Sequence, residues 1–309
     1  MKRFNRELCK LQRIQETRNN SIDFDTESKD DSVYDVITFR NNACYLKIKV
    51  PDVFRKRVLV HVMSNYVDIG GTSIPPLYLA IEGRAGEGKT VQTIATCTQC
   101  NIDVLYLSAS QLSGQHEREA LDIMREIYNE AVRMRHSGSC VAIVIDDFHM
   151  SIVNQDNNLR KTVNSNLLTG YLMNLADGNI MERVPIILTG NSFSKVYKPL
   201  LRSGRADFFE WKPDSEVKLN ILKQIMKGFV QLTEDEFNNF FQEFKNATIA
   251  DFSQLINDCK KDILWDEIKS ETYFDKVKIK KIDSRIKKRA KKLSYEELRE
   301  LALIRIKRC

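Results

Sequence analysis

Eight consecutive residues have the side-chain types and the spacing of a phosphate-binding loop. Residues 83–90 read GRAGEGKT, which fits the pattern G-x-x-x-x-G-K-[ST]. The glycines let the backbone turn its N–H groups toward phosphate oxygens, and the N-terminus of the following helix adds partial positive charge. Lys89 is expected to reach the β- and γ-phosphates of a nucleotide, and Thr90 is expected to hold Mg²⁺. We therefore predict ATP and Mg²⁺ as cofactors, with nucleotide contacts from Gly83, Arg84, Ala85, Gly86, Glu87, Gly88, Lys89 and Thr90.

Two carboxylates end an apolar run farther along the chain. Residues 141–147 read VAIVIDD, as expected of a buried strand that ends in acidic side chains. In parallel sheets the functional groups gather at the carboxyl ends of the strands. Asp146 is expected to bind Mg²⁺ through water, and Asp147 to orient or deprotonate an attacking water molecule. An acidic turn without a catalytic role is the alternative interpretation.

Three further polar side chains are candidates for contact with the terminal phosphate. Asn191 follows the apolar run IILTG and could bond to the γ-phosphate or to the attacking water, although asparagine is also common in turns. Arg202, eleven residues later, and Arg205 flank a glycine in LLRSGR. Two such arginines are suited to entering a neighbouring subunit's site, where they would act as arginine fingers on transition-state charge. A solvated basic turn is the alternative for this pair.

The apolar pattern predicts the elements that must position these side chains. Short apolar runs at 77–81, 103–108, 141–146 and 184–190 read as strands, and helical patterns lie between them. This alternation indicates an α/β fold with a parallel sheet. The predicted helices are 53–68, 89–100, 115–136 and 160–176 in this part, then 215–229, 234–245 and 249–263 in an all-helical lid.

The same pattern gives a division of the chain into four parts. Residues 1–50 are predicted to hold a charged helix, over 1–18, an acidic linker, over 19–32, and a short strand in CYLKIKV, residues 44–50. The other predicted parts are an α/β nucleotide-binding domain over 51–212, a helical lid over 213–268 and a basic C-terminal tail over 269–309. A capping box at Ser294 predicts a helix within this tail.

Charge is distributed unevenly along the chain. The net charge of the 309 residues is +6, but residues 275–309 hold 14 Lys and Arg against 5 Asp and Glu. The basic run 276–292 could contact nucleic acid, an anionic membrane or an acidic protein, or it could be a solvated helix or disordered arm. Its lack of aromatic residues weakens an interpretation based on base stacking.

Composition narrows the cellular setting. The apolar runs are much shorter than the roughly 20 residues of a membrane-spanning helix. The first residues also lack the apolar segment of a secretion signal, so we do not expect export. Seven scattered cysteines, an odd number, argue against a disulfide scaffold. The pair Cys97 and Cys100 is expected to be packed thiols. We therefore expect a cytoplasmic protein with no transmembrane segment.

Four motifs in order resemble those of the AAA+ ATPases: GRAGEGKT, VAIVIDD, IILTGN and LLRSGRADFF. The resemblance narrows to the rubisco activase type through residues 183–213, and also through 162–177 and 58–69. It spans roughly residues 53–262. It implies an α/β P-loop domain with a helical lid, and a ring, usually a hexamer, that hydrolyses ATP between subunits and engages a protein client at its pore.

The resemblance also assigns roles to residues of this chain. It implies nucleotide and Mg²⁺ binding by Lys89 and Thr90, strand-end carboxylate positions for Asp146 and Asp147, and the sensor 1 position for Asn191. It likewise places Arg202 and Arg205 at the finger positions and pore loops near 112–115 and within 149–161. The chain departs from the family where it has an Asp-Asp pair in place of Asp-Glu, and where Ile256 and Asp258 replace lid arginines.

Three functions remain open at this stage. The first is an ATP-hydrolysing, activase-like remodelling machine, chaperone-like in action, that works on an unidentified protein client as a homo-oligomeric ring. The second is a nucleic-acid-associated loader or switch that is anchored by the basic C-terminal tail. The third is a nucleotide-gated scaffold with little hydrolysis, which the Asp-Asp pair and the lid substitutions suggest.

Overall fold

Six β-strands form one sheet in the computed structural model of this chain, in the order β1-β3-β4-β5-β2-β6. The structure describes residues 33–68, 70, 74–112, 119–150, 159–178, 183–289 and 293–306. The strands are β1 (Asp35–Ile37), β2 (Tyr78–Glu82), β3 (Asp103–Ser108), β4 (Val141–Asp146), β5 (Ile186–Gly190) and β6 (Ala206–Glu210).

Nine helices are described. Four belong to the α/β part: α1 (Asp52–Ser64), α2 (Lys89–Gln99), α3 (Glu119–His136) and α4 (Leu159–Asp177). Five follow the sheet: α5 (Ser215–Met226), α6 (Glu234–Glu243), α7 (Ile249–Ile268), α8 (Lys276–Arg289) and α9 (Tyr295–Arg305). Short 3-10 turns lie at Tyr45–Lys47, Ala109–Leu112 and Phe148–Met150.

Parallel pairing brings the ends of the central strands to one edge of the sheet. Glu82, the last residue of β2, lies opposite Gly190 of β5 on one side and Glu210 of β6 on the other. Asp146, the last residue of β4, lies opposite Ser108 of β3. Segments that follow β2, β4 and β5 therefore emerge side by side, as expected for a site at the carboxyl edge.

The sheet separates two hydrophobic cores. Side chains of a strand alternate between its faces, so Tyr78 and Ala80 contact one core while Leu79 and Ile81 contact the other. Helices α3 and α4 cover the first face, and α1 and α2 cover the second. Because both faces are covered, the central strands must be apolar throughout, which is why they read as continuous apolar runs.

The secondary structure departs from the prediction at three places. The strand predicted in 44–50 is wrong, because Tyr45–Lys47 form a 3-10 turn, and an antiparallel edge strand, β1, lies earlier in the chain. β6 was missed because its sequence, ADFFE, interleaves acidic and aromatic residues at the sheet's edge. The predicted helix 1–18, the acidic linker 19–32 and parts of both predicted pore loops lie outside the described residues.

Four of the helices after the sheet, α5, α6, α7 and α9, share a third hydrophobic core. Phe240 of α6 and Phe252 and Leu255 of α7 lie in it. Leu298 and Ala302 of α9 are buried in the same core, and a capping box at Ser294 begins that helix. The sequence analysis assigns α9 to the tail, beyond the predicted end of the lid at residue 268. In the structure α9 packs into the core of the lid. Within the described residues, each helix is too short or too polar to span a bilayer.

Replacing Leu298 by alanine is expected to lower the free energy of unfolding by about 2–5 kcal/mol, because the substitution leaves a cavity in this core. The matched control is Ile304→Ala on the same helix, where the side chain is 52% exposed and the loss is expected to stay within about 0.5 kcal/mol. Guanidinium denaturation followed by circular dichroism measures both. Equal effects of the two substitutions would contradict the packing of α9 described above.

Candidate nucleotide-binding site

The phosphate-binding loop connects β2 to α2, and close packing explains its glycines. A Cβ at position 83 would overlap the carbonyl oxygen of Trp211, so the loop cannot begin with a larger residue. Gly86 has φ +77°, and a Cβ there would lie 2.7 Å from Oγ1 of Thr248 on the helical part. A side chain is therefore excluded at Gly86 both by backbone conformation and by the neighbouring helix.

Lys89 lies at the start of α2 with its ammonium group turned back into the loop. Nζ donates to the carbonyl oxygens of Gly83 at 2.7 Å and Arg84 at 3.1 Å, and to Oδ1 of Asn191 at 3.2 Å. Burial lowers the pKa of Lys89, while the nearby carboxylates, Asp147 first among them, oppose that shift. The ammonium group of Lys89 is thus held inside the loop, where the sequence motif predicts a cation for phosphate oxygens.

Asp146 is the centre of a network of hydroxyl groups. Its Oδ1 accepts from Oγ1 of Thr90 at 2.6 Å and also from Oγ1 of Thr189. Its Oδ2 accepts from the Tyr106 hydroxyl at 3.1 Å, and burial, followed by the charge of Asp146, raises the pKa of that phenol. The hydroxyl of Thr90 and the carboxylate of Asp146 are a fitting pair of oxygen ligands for Mg²⁺, which usually keeps several water ligands of its own.

Asp147 has an unusual backbone. Its φ is +52°, a left-handed conformation that aspartate tolerates better than most residues. Its N–H donates to Oδ1 of Asp146 at 3.1 Å, which ties the turn to the end of β4. Oδ1 of Asp147 lies 4.0 Å from Nδ1 of His149. The chain therefore leaves the strand direction at Asp147. This turn places the Asp147 side chain, which is shorter than a glutamate, beside Asp146.

A cavity of about 960 Å³ opens over these groups. Beside the loop it is lined by Lys89, Thr90, Asp146, Asp147 and Asn191. The rest of its lining combines apolar side chains with amide groups and three lysines: Ile48, Ile221, Ile225, Ile249, Gln224, Gln254, Asn257, Lys47, Lys49 and Lys227. A cavity of this size, with apolar side chains for a base and cationic groups for phosphates, suits a nucleotide.

The two candidate finger arginines have different surroundings. Arg205 is buried, its Nε donates to Oδ1 of Asp177 at 2.7 Å, and its other nitrogens donate to Oδ2 of Asp177 and to the carbonyl oxygen of Pro199. Arg202 is exposed over 62% of its side chain, and its Nη2 lies 3.9 Å from Asp177. Neither lines the cavity of its own chain. Arg205 is therefore held within its own chain, whereas Arg202 is largely exposed to solvent.

Tyr106 and Thr189 are site residues that sequence reasoning missed. Both lie inside apolar strands, DVLYLS and IILTG, where they read as core residues. The available signal was positional: each lies within two residues of a strand's carboxyl end, and each strand is a neighbour of the one that ends in Asp146. The order of strands in the sheet was needed before that signal could be used.

Comparisons with known proteins identify a family and relatives that this chain resembles. Residues 79–214 match the model of the ATPase family associated with various cellular activities (AAA). Over 217 residues the chain is 32% identical to a ribulose bisphosphate carboxylase/oxygenase activase of Nostoc sp., covering 65% of this chain and 51% of that protein. A chloroplastic activase of Larrea tridentata is 28% identical over 67% of this chain and 50% of its own length. The chain thus spans about half the length of these curated relatives.

Solved structures show the same fold at low sequence identity. The FIGL-1 AAA domain superposes with a TM-score of 0.62 at 15% identity, covering 89% of this chain and 86% of that domain. The same domain in complex with ADP gives a TM-score of 0.61, with 92% of each chain covered. At this identity the likeness supports the α/β fold with its helical part.

Arg205→Ala is expected to lower the free energy of unfolding by about 1.5–3 kcal/mol, because it removes charge-assisted hydrogen bonds to Asp177 and the Pro199 carbonyl. The matched substitution Arg202→Ala is expected to change it by less than about 0.5 kcal/mol, since that side chain is solvated. Urea denaturation of the two variants makes the comparison. Loss of stability in Arg202→Ala alone would contradict the contacts described here.

Proposed function

We propose that this chain, which belongs to the AAA ATPases and is of the rubisco activase type, hydrolyses ATP and uses that cycle to remodel a protein client. One observation carries the proposal. The cation of Lys89, the hydroxyl of Thr90, the carboxylates of Asp146 and Asp147 and the amide of Asn191 converge on one end of a nucleotide-sized cavity.

Each of these groups has a role that its position supports. Lys89 would exchange its loop carbonyl partners for β- and γ-phosphate oxygens, and Asn191, already within hydrogen-bond distance of Lys89, would help to orient the terminal phosphate. Thr90 and Asp146 would hold Mg²⁺, which when bound supplies positive charge to the phosphate oxygens. Asp147 would orient the attacking water and accept its proton.

Arg202 is the group that we assign to a neighbouring subunit's site. It is exposed and lies away from its own cavity, so it can stabilise transition-state charge only in another copy of the chain. Head-to-tail contact of this kind closes into a ring, and a hexamer is the state that we propose. Arg205 would support Arg202 by holding the turn that carries it through their shared neighbour, Asp177.

The relatives suggest which client to test first. The proteins that match over about two thirds of this chain are named as activases of ribulose bisphosphate carboxylase/oxygenase, so that enzyme is the first candidate. The described residues provide no feature that recognises it in particular. We therefore propose a protein client and leave the choice among proteins to a capture experiment with an ATP-holding variant.

The two other functions remain distinguishable. A nucleotide-gated scaffold would bind ATP without turnover, and its support is the Asp-Asp pair together with Ile256 and Asp258 in place of lid arginines. A nucleic-acid loader would depend on the basic run 276–292. In its described part, Lys278 pairs with Glu271, and Arg285 lies 3.8 Å from Glu267, so acids of the same chain offset part of its charge.

Phosphate release from ATP is expected in the unsubstituted chain. Lys89→Ala is expected to abolish ATP binding, and Asp147→Asn to retain binding while slowing hydrolysis by about 10²-fold or more, since it removes the proton acceptor. Asp122→Asn, an exposed carboxylate on α3, is the matched control and should behave as the unsubstituted chain. ATP binding without turnover at saturating protein would overturn the enzyme proposal in favour of the scaffold.

Mixing two inactive variants tests the proposed action of Arg202 in trans. Arg202→Ala is expected to bind ATP and to lose turnover, and mixing it with Lys89→Ala should restore activity. At equal amounts about a quarter of the interfaces would combine an intact loop with an intact Arg202 from the neighbour. An Arg202→Ala variant with full activity, or an inactive mixture whose subunits exchange, would contradict this assignment.

A further inference from the structure

The phosphate-binding loop of this chain contains a buried carboxylate. Glu87 lies immediately before Gly88 and Lys89, and it is only 4% exposed. Its Oε1 accepts from Nζ of Lys218 at 2.8 Å, and Lys218, on α5, is 8% exposed. The two charges come from positions 131 residues apart, one in the loop and one on the helical part.

Three further contacts join the loop to the residues after β6. Nε1 of Trp211 donates to the carbonyl oxygen of Glu87 at 2.8 Å. The N–H of Ala250, at the start of α7, donates to the carbonyl oxygen of Gly86 at 2.9 Å, and Arg84 donates to the carbonyl oxygen of Asn246, also at 2.9 Å. The Glu87–Lys218 pair therefore lies within the surface along which the loop and the helical part meet.

A negative charge at this position opposes the binding of phosphates unless it is neutralised. Glu87 is close enough to interact electrostatically with Lys89, the group that must attract phosphate oxygens. Its Oε2 is buried without a hydrogen-bond partner among the residues that the structure describes, so the carboxylate depends on Lys218. Removing one partner of a buried pair leaves an uncompensated charge, which is strongly unfavourable.

We propose that the Glu87–Lys218 pair makes tight nucleotide binding conditional on the position of the helical part. While α5 is docked, Lys218 neutralises Glu87 and the loop can accept phosphates. When α5 moves away, the unpaired Glu87 repels the phosphates and speeds their release. Lys218 is thus a positioning residue that acts through the loop. The inference rests on the nucleotide binding of the proposed function and adds the electrostatic link by which release would be controlled.

The test measures release of N-methylanthraniloyl-ADP from the full chain by stopped-flow fluorescence. Lys218→Met is expected to speed release about tenfold or more, because Glu87 stays buried without its partner. Lys218→Arg keeps the charge and is expected to restore slow release. The double variant Glu87→Gln with Lys218→Met carries neither charge and should also release slowly. Lys223→Met, which breaks the Lys223–Glu234 pair elsewhere on α5, is the matched control and should leave the rate unchanged.

The melting temperature of Lys218→Met shows whether fast release comes from unfolding or from loss of the Glu87–Lys218 pair. If Lys218→Met is unfolded at the assay temperature, Lys218→Gln, which removes the charge and retains a hydrogen-bond donor, takes its place with the same expected acceleration. Slow release from a folded single variant, or equally fast release from the single and double variants, would overturn the inference while nucleotide binding stands. A failure of the unsubstituted chain to bind the probe would instead overturn the proposed function.

Discussion

The parallel register of β2 with its neighbours is the constraint on which the rest of the site depends. Glu82 is paired on both sides, so the chain leaves the sheet at Gly83 directly between the ends of β5 and β6. The loop must then pass close to the Trp211 carbonyl, and only glycine fits. The same register brings Asn191, after β5, to the Lys89 ammonium. The start of the loop, the position of the Asn191 amide and the approach of the loop to Trp211 all follow from one set of backbone hydrogen bonds.

The carboxylates around the loop have different partners and therefore different consequences. Asp146 is surrounded by hydroxyl donors from Thr90, Thr189 and Tyr106, which orient its oxygens without cancelling its charge, as the Mg²⁺ ligand that we propose would require. Glu87 is paired with an ammonium group, which does cancel its charge. An anion-binding loop thus tolerates nearby acids where each has a partner that suits its role.

The excess positive charge of the C-terminal residues is partly neutralised by acidic side chains in the folded chain. Basic residues of the C-terminal segment form ion pairs with acidic residues of the helical part. Lys278 pairs with Glu271, and Arg299 pairs with Glu243. Arg305 pairs with both Asp258 and Asp262 of α7. The C-terminal segment therefore contributes to the helical part through both its apolar face, at Leu298, and its charges. Its net charge alone is a weak argument for an external partner.

The sequence by itself determined the α/β class, the central strands, the loop and the order of the motifs. Those features depend on contacts within a few residues or on burial of whole runs, so local pattern is enough: 103–108 and 141–146 were predicted to the residue. The edge strands β1 and β6 were not, because an edge strand is half exposed and its pairing depends on which neighbour it meets.

Only the tertiary structure decided how the candidate side chains differ. Arg202 and Arg205 look alike in LLRSGR, yet one is solvated and the other is held by Asp177, 28 residues earlier. Tyr106 became part of the site only when β3 paired with β4. In the sequence Glu87 occupies one of the unspecified positions of the loop motif. In the folded chain Lys218 of α5 lies against it and forms an ion pair. The physical reason is the same in each case: the free energy of a charge or a hydroxyl depends on its partners, and these partners are distant in sequence.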